Sequence, residues 1–164
     1  MASIDRKMVQ LSLSLFVLSL FAVSFTNPVK RTVAQVESDI ATISTQLTSL
    51  DNDIKGFPAS GLVGALNIHS AAGTLDNTLN SATTDVTATG TVDVADGTTI
   101  LNAVQAFVPT IQDATTRISG DKAAFAAQPI GGLPALVLSD LKALNASTIA
   151  FANALIAGAP VRNR

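Results

Sequence analysis

Apolar positions recur along most of the chain with the alternating three- and four-residue steps of a helix face. The first run is Val33, Val36, Ile40, Ile43, Leu47, Leu50 and Ile54. Glu37, Asp39, Thr42, Gln46, Ser49 and Asp53 fall off that stripe. Gly56 and Pro58 follow the last apolar residue and predict the stop. A second helix is expected to open at Ser60 or Gly61 and to carry Ala65, Ile68, Ala72, Leu75, Leu79, Ala82 and Val86, with Leu62 and Leu66 flanking. It should fade over 83–90, where β-branched and polar residues lower helix propensity. Thr91-Val92-Asp93-Val94 alternates like a strand but has no evident partner, so it reads as a linker.

A third helix is predicted from Asp93 or Asp96, either of which can cap it. Ile100, Leu101, Val104, Phe107, Val108, Ile111, Thr115 and Ile118 form its face, and Pro109 inside that face predicts a kink. A short piece around Lys122 follows Gly120, and Pro129-Ile130-Gly131-Gly132 is a break. The last helix should run from about Pro134 through Val137, Leu141, Leu144, Thr148, Phe151 and Leu155, ending at Gly158 and Pro160. Four long amphipathic helices, or five if the Lys122 piece is separate, bury their faces most simply as an all-α antiparallel bundle.

The N-terminus follows a different pattern. Arg6 and Lys7 precede an apolar run over 8–23, interrupted by Gln10 and three serines and shorter than the ~20 residues that span a bilayer. Ala22-Val23-Ser24 has the small residues that signal peptidase reads. Residues 1–24 are therefore expected to be a signal peptide, with a retained anchor as the alternative, and 25–164 a single mature domain. No second run reads as long enough to cross a membrane, so the expectation is a secreted, soluble monomer without a transmembrane anchor. Loss of Arg6, Lys7 and Asp5 takes the 10 basic and 12 acidic residues to 8 and 11, a net charge of −3.

Composition narrows the function. The 164 residues contain no cysteine, tryptophan or tyrosine, which removes disulfides, thiolate metal sites and a cysteine nucleophile. A net negative chain lacks the basic stripe of a nucleic-acid surface. Only 13% of residues are charged, against about 25% in a typical domain. Such neutral faces of Ser, Thr, Ala, Asn and Gln lose little on contact with wax or lipid. They equally fit an O-glycosylated exterior.

Candidate chemistry is sparse. His69, the single histidine, neighbours Ser70, but no G-x-S-x-G elbow accompanies it, and it reads as a boundary residue with a structural hydrogen bond. Asp51 with Asp53, and Asp93 with Asp96, read as capping or solvated acids, without the aromatic platforms of a glycosidase. One histidine and scattered acids make no metal cluster, Gly131-Gly132 is not a phosphate loop, and no cofactor is expected. Asn145-Ala146-Ser147 is an N-glycosylation acceptor whose use depends on exposure of that helix face. Lys30-Arg31 reads as a charged helix entrance or a dibasic processing site.

The order of segments resembles a known family. Arg31-Thr32-Val33 leads Val36-Glu37-Ser38-Asp39-Ile40; then come Gly56-Phe57-Pro58, Ala65-Leu66-Asn67-Ile68-His69-Ser70-Ala71-Ala72 and Val104-Gln105-Ala106-Phe107-Val108-Pro109-Thr110-Ile111. Leu136-Val137-Leu138-Ser139-Asp140-Leu141 and the segment 150–160 complete the pattern. Together they resemble the fungal hydrophobic surface-binding protein A family, which includes cell wall galactomannoproteins. The resemblance implies a helical bundle, secretion or cell-wall association, and no catalysis. It further implies adsorption to hydrophobic surfaces and recruitment of secreted esterases or cutinases, while related galactomannoprotein domains hold fatty acids between their helices.

These readings make different demands. A fatty-acid carrier needs an apolar cavity with a few polar groups at its mouth. The candidate lining is Ile43, Leu47, Leu50, Leu75, Leu79, Val104, Phe107, Ile111, Leu141, Leu144 and Phe151, which would otherwise form an ordinary core. A surface adsorber needs an exposed apolar patch, for which Phe57, Pro58, Leu62 and Leu66 are candidates, although Phe57 reads rather as an ordinary loop anchor. An effector binding a host protein is the remaining alternative.

Overall fold

The computed structural model describes residues 32–160. The expected signal peptide, Lys30-Arg31 and the last four residues lie outside that range. Six helices follow one another: α1 Val33–Gly56, α2 Gly61–Thr89, α3 Val94–Gln105, α4 Val108–Gly120, α5 Lys122–Ala126 and α6 Leu133–Ala157. No strand occurs among the described residues, and the fold is the expected all-α bundle.

Local chemistry accounts for the boundaries. Thr32 caps α1 by accepting from the Gln35 amide at 3.3 Å, and Asp93 caps α3 by accepting from the Asp96 amide at 2.9 Å. Gly90, at φ +76°, ends α2 in a conformation that side chains with a Cβ rarely adopt. Two expectations are corrected. The threonine-rich end of α2 stays helical through Thr89. There Thr83, Thr84, Thr87 and Thr89 each donate their hydroxyl to the carbonyl four residues back, at 2.7–3.1 Å. The third helix is not one kinked rod but two helices, broken at Ala106 and Phe107. Pro109 falls in the first turn of α4, where a backbone N–H has no intrahelical carbonyl to donate to.

Both predicted stripes of the first hairpin are inward. Val36, Ile40, Ile43, Leu47, Leu50 and Ile54 of α1 are buried with Ala65, Ile68, Ala72, Leu75, Leu79, Ala82 and Val86 of α2. The connection between them is held by Phe57, which is buried and stacked on Phe125 of α5, ring centroids 4.1 Å apart. Phe57 is therefore a core anchor and no part of an exposed patch. At the other end the Val92 amide donates to the Gly158 carbonyl at 3.0 Å, tying the α2–α3 linker to the end of α6.

The packing is asymmetric. α1 lies along α2, α2 along α6, and α1 also along α3 and α4, while the short α5 bridges α4 to α6. No comparable packing joins α3 or α4 to α6, so one side of the bundle is a loose seam. α6 itself departs from expectation. It is 25 residues long with a mean hydropathy of 1.2 over its most apolar stretch, long and apolar enough to cross a membrane by length and composition. Contrary to expectation, a run after residue 24 therefore qualifies, because Asp140 and Lys142 are the only charged residues along this helix. Leu138, Leu141, Ile149 and Ile156 of α6 remain exposed.

Candidate functional site

The seam opens on a cavity of about 430 Å³ bounded by α1, α2, α3–α4 and α6. All eleven residues of the candidate lining lie on its wall: Ile43, Leu47 and Leu50 from α1, Leu75 and Leu79 from α2, and Val104, Phe107 and Ile111 from the broken third segment. Leu141, Leu144 and Phe151 from α6 complete the set. Helical periodicity brings them together because each stripe faces the axis of the bundle. The break before Val108 lets α4 turn Ile111, Ala114 and Ile118 toward the same axis.

Two further spaces adjoin the cavity along α6. One of about 410 Å³ lies toward Pro160 and shares Val104, Ala152 and Leu155 with the first. The other, about 470 Å³, lies at the α4–α5–α6 corner and shares Ile118, Val137 and Leu141. From Val137 to Leu155 the central wall alone runs about 27 Å at 1.5 Å per helical residue.

Four polar side chains interrupt the central wall: Thr115, Asp140, Asn145 and Thr148. Periodicity of apolar residues could not select Asp140 or Asn145. Thr115 and Thr148 were visible as polar residues occupying stripe positions, and that was the available signal. Asn145 is exposed as well as cavity-lining, so an acceptor asparagine stands at the seam. Asp140 is paired across the α2–α6 interface: both of its oxygens lie close to His69 Nδ1, at 2.9 and 3.1 Å. That is the structural hydrogen bond expected of His69. Ser70 instead lines a separate polar recess between α1 and α2.

A second electrostatic group ties α1 to α4. Lys55 pairs with Asp51 one turn earlier and with Asp113 of α4 at 3.2 Å, and Arg117 binds Asp113 at 3.1 Å. Hydrogen bonds from Arg117, then Lys55, hold the Asp113 carboxyl below its ordinary value; Asp51, then Asp113, raise that of Lys55. Asp51 is buried, 4% exposed, with one oxygen on Lys55 and the other unpaired, which corrects the reading of it as a solvated acid. Among the described residues no group of three or more potential metal ligands is assembled. Of the candidate adsorption residues, Leu66 is exposed, Leu62 only partly so, and Val63 between them is the most exposed of the three.

Residues 33–157 match the model of one family, hydrophobic surface binding protein A. The chain belongs to this family. No curated protein sequence matches it. Among solved structures the chain is similar to AfMP4p, a fungal galactomannoprotein crystallised with palmitic acid, at 31% identity and a TM-score of 0.72. The match covers 79% of this chain and 83% of that one. Family and neighbour are those of binding proteins for hydrophobic surfaces or lipid rather than those of enzymes.

Proposed function

We propose that this is a secreted, non-enzymatic protein that holds a long aliphatic chain in the cavity between α1, α2, α4 and α6. The observation that carries the reading is the wall itself: a ~430 Å³ space with twenty apolar and four polar lining residues, reached through an unpacked seam. Its size falls within the roughly 300–1,000 Å³ of pockets that take small ligands. Similarity to a protein crystallised with palmitic acid supports the same class of ligand. The cavity favours a flexible acyl chain because each methylene removed from water contributes about 0.8 kcal/mol without any directional requirement.

That figure sets the test. Saturated fatty acids and the matching primary alcohols, each in a series of increasing length, are titrated into purified protein and followed by calorimetry. Affinity should rise about tenfold for each two methylenes added, since 1.6 kcal/mol slightly exceeds one decade, until the cavity is filled. Affinity independent of length, or no binding at any length, overturns the proposal.

Adsorption to hydrophobic surfaces is the second reading, favoured by the exposed Val94, Leu101 and Ile156 beside the Pro160 end of the seam, Ile156 being 72% exposed. These residues would meet a wax or polymer first, and a protein held there could present a secreted esterase or cutinase to the same surface. Depletion of the protein onto polystyrene beads, lost in a Val94→Ser, Leu101→Ser, Ile156→Ser triple variant, tests adsorption. Co-depletion of a cutinase only in its presence tests recruitment.

A further inference from the structure

The cavity wall carries a charge pattern that bears on the head group of its ligand. Among the described residues, Asp140 is the single ionisable side chain on the central wall, and no lysine, arginine or histidine lines it. Lys122, the one cation along the seam, stands in the corner space beyond Leu141. A carboxylate held on this wall would therefore meet no cation and approach a like charge, both of which disfavour the ionised form. His69 sits on the α2 side of Asp140, its Nδ1 within hydrogen-bond reach of both carboxylate oxygens.

Asn145 and Thr148 offer the opposite. They are three residues apart on α6, hence on one helix face, both line the cavity, and neither side chain makes a hydrogen bond to another described residue. Thr148 differs in this from most threonines of the chain, whose hydroxyls bond back to the carbonyl four residues earlier. Across the seam Thr115 donates to the Ile111 carbonyl at 2.7 Å and keeps its oxygen lone pairs for accepting. An amide and two hydroxyls supply donors and acceptors without net charge.

Resting on the cavity reading above, we infer that Asn145, Thr148 and Thr115 form a head-group subsite for an aliphatic lipid with an uncharged oxygen head, such as a long-chain alcohol or monoacylglycerol. Asp140 discriminates against the free carboxylate. The alcohol hydroxyl donates to Asn145 Oδ1 or to Thr115, and accepts from Asn145 Nδ2 or the Thr148 hydroxyl. The hydrocarbon tail lies along Leu144, Phe151 and the apolar wall.

The test is a competition between probes of equal chain length. Hexadecan-1-ol and palmitate, both delivered from cyclodextrin at pH 8, are equilibrated together with the bacterially expressed, unglycosylated chain, and bound lipid is extracted and counted. The alcohol should exceed palmitate by at least about tenfold. Asn145→Leu combined with Thr148→Val should cut that preference several-fold, leaving the part that Asp140 imposes, while total lipid retained stays near one chain per protein. Asp140→Asn, which keeps a hydrogen-bonding partner for His69, should raise the palmitate share several-fold. Equal occupancy, or a palmitate excess, overturns the head-group assignment and leaves acyl binding standing. Retention of neither lipid overturns both.

Discussion

Asp113 answers to cations from two helices, Arg117 on its own α4 and Lys55 on α1, and so reports the docking of α4 against the hairpin. Its carboxyl is held below its ordinary value near 3.8, so its contribution to stability is present above that value and lost as pH falls through the depressed one. Lys55 is raised above 10.5, so its contribution is present below that value and lost as pH climbs through the raised one. Melting temperature followed from pH 8 to pH 2 should fall more steeply at the acid end in the wild type than in Asp113→Asn. Parallel curves would remove the pair from the account of docking. His69 supports a different contact. His69→Ala leaves the largely buried Asp140 without its partner and should cost about 1 kcal/mol, a drop of roughly 4 °C for a domain of this size, read by calorimetry. Asp51 shows what a count of apolar residues misses. Leu47, Leu50 and Ile54 mark the inward face of α1, and Asp51 lies between them on the same face, so its burial was legible from the wheel once polar residues were placed on it too.

At the scale of elements, the apolar pattern located α1, the start of α2 and α6 to within a residue or two, because each stripe is long and those ends carry a glycine, proline or capping side chain. It erred where the deciding interaction was not apolar. Back-bonded threonine hydroxyls keep the end of α2 helical. A proline that looks like a kink inside a continuous face is also what the first turn of a new helix accepts. The two readings of Pro109 differ in sign on mutation. In a helix interior, Pro109→Ala would relieve a defect of ~3 kcal/mol and stabilise the protein. In the first turn of α4 it only frees the unfolded chain, and should destabilise by about 0.4–1 kcal/mol. Urea unfolding of the single variant decides between them. The eleven lining positions were legible for the same reason as the core, since both lie on inward stripes. That they border a cavity was not, because the loose α4–α6 seam arises from how the helices pack.

Considered as a whole, the molecule is a well-packed unit of α1, α2 and α6, with α6 lying along α2 as extensively as α1 does, and a more lightly held α3–α4 arm docked on α1. Local opening is governed by how much apolar contact an element would lose, so the α3–α4 arm is the natural moving part and the α1–α2–α6 unit the fixed one. A ligand lying between that arm and α6 would supply the apolar contact that the seam lacks, and only the liganded state gains it. Stabilisation then follows RT ln(1 + [L]/Kd), about 2.7 kcal/mol at a free ligand concentration one hundred times Kd. Its distribution over the chain is the sharper prediction. Amide hydrogen exchange with and without a saturating long-chain lipid should slow most in α4 and in the stretch of α6 from Leu141 to Leu155, and least where α1 meets α2. Leu144→Trp, which places an indole on the half-buried rim of the cavity, should remove the lipid-dependent slowing while unliganded exchange in the hairpin stays as in the wild type. Slowing spread evenly over all helices would mean that the lipid stabilises the bundle globally without closing the seam, and the division into a fixed α1–α2–α6 unit and a mobile α3–α4 arm would fall.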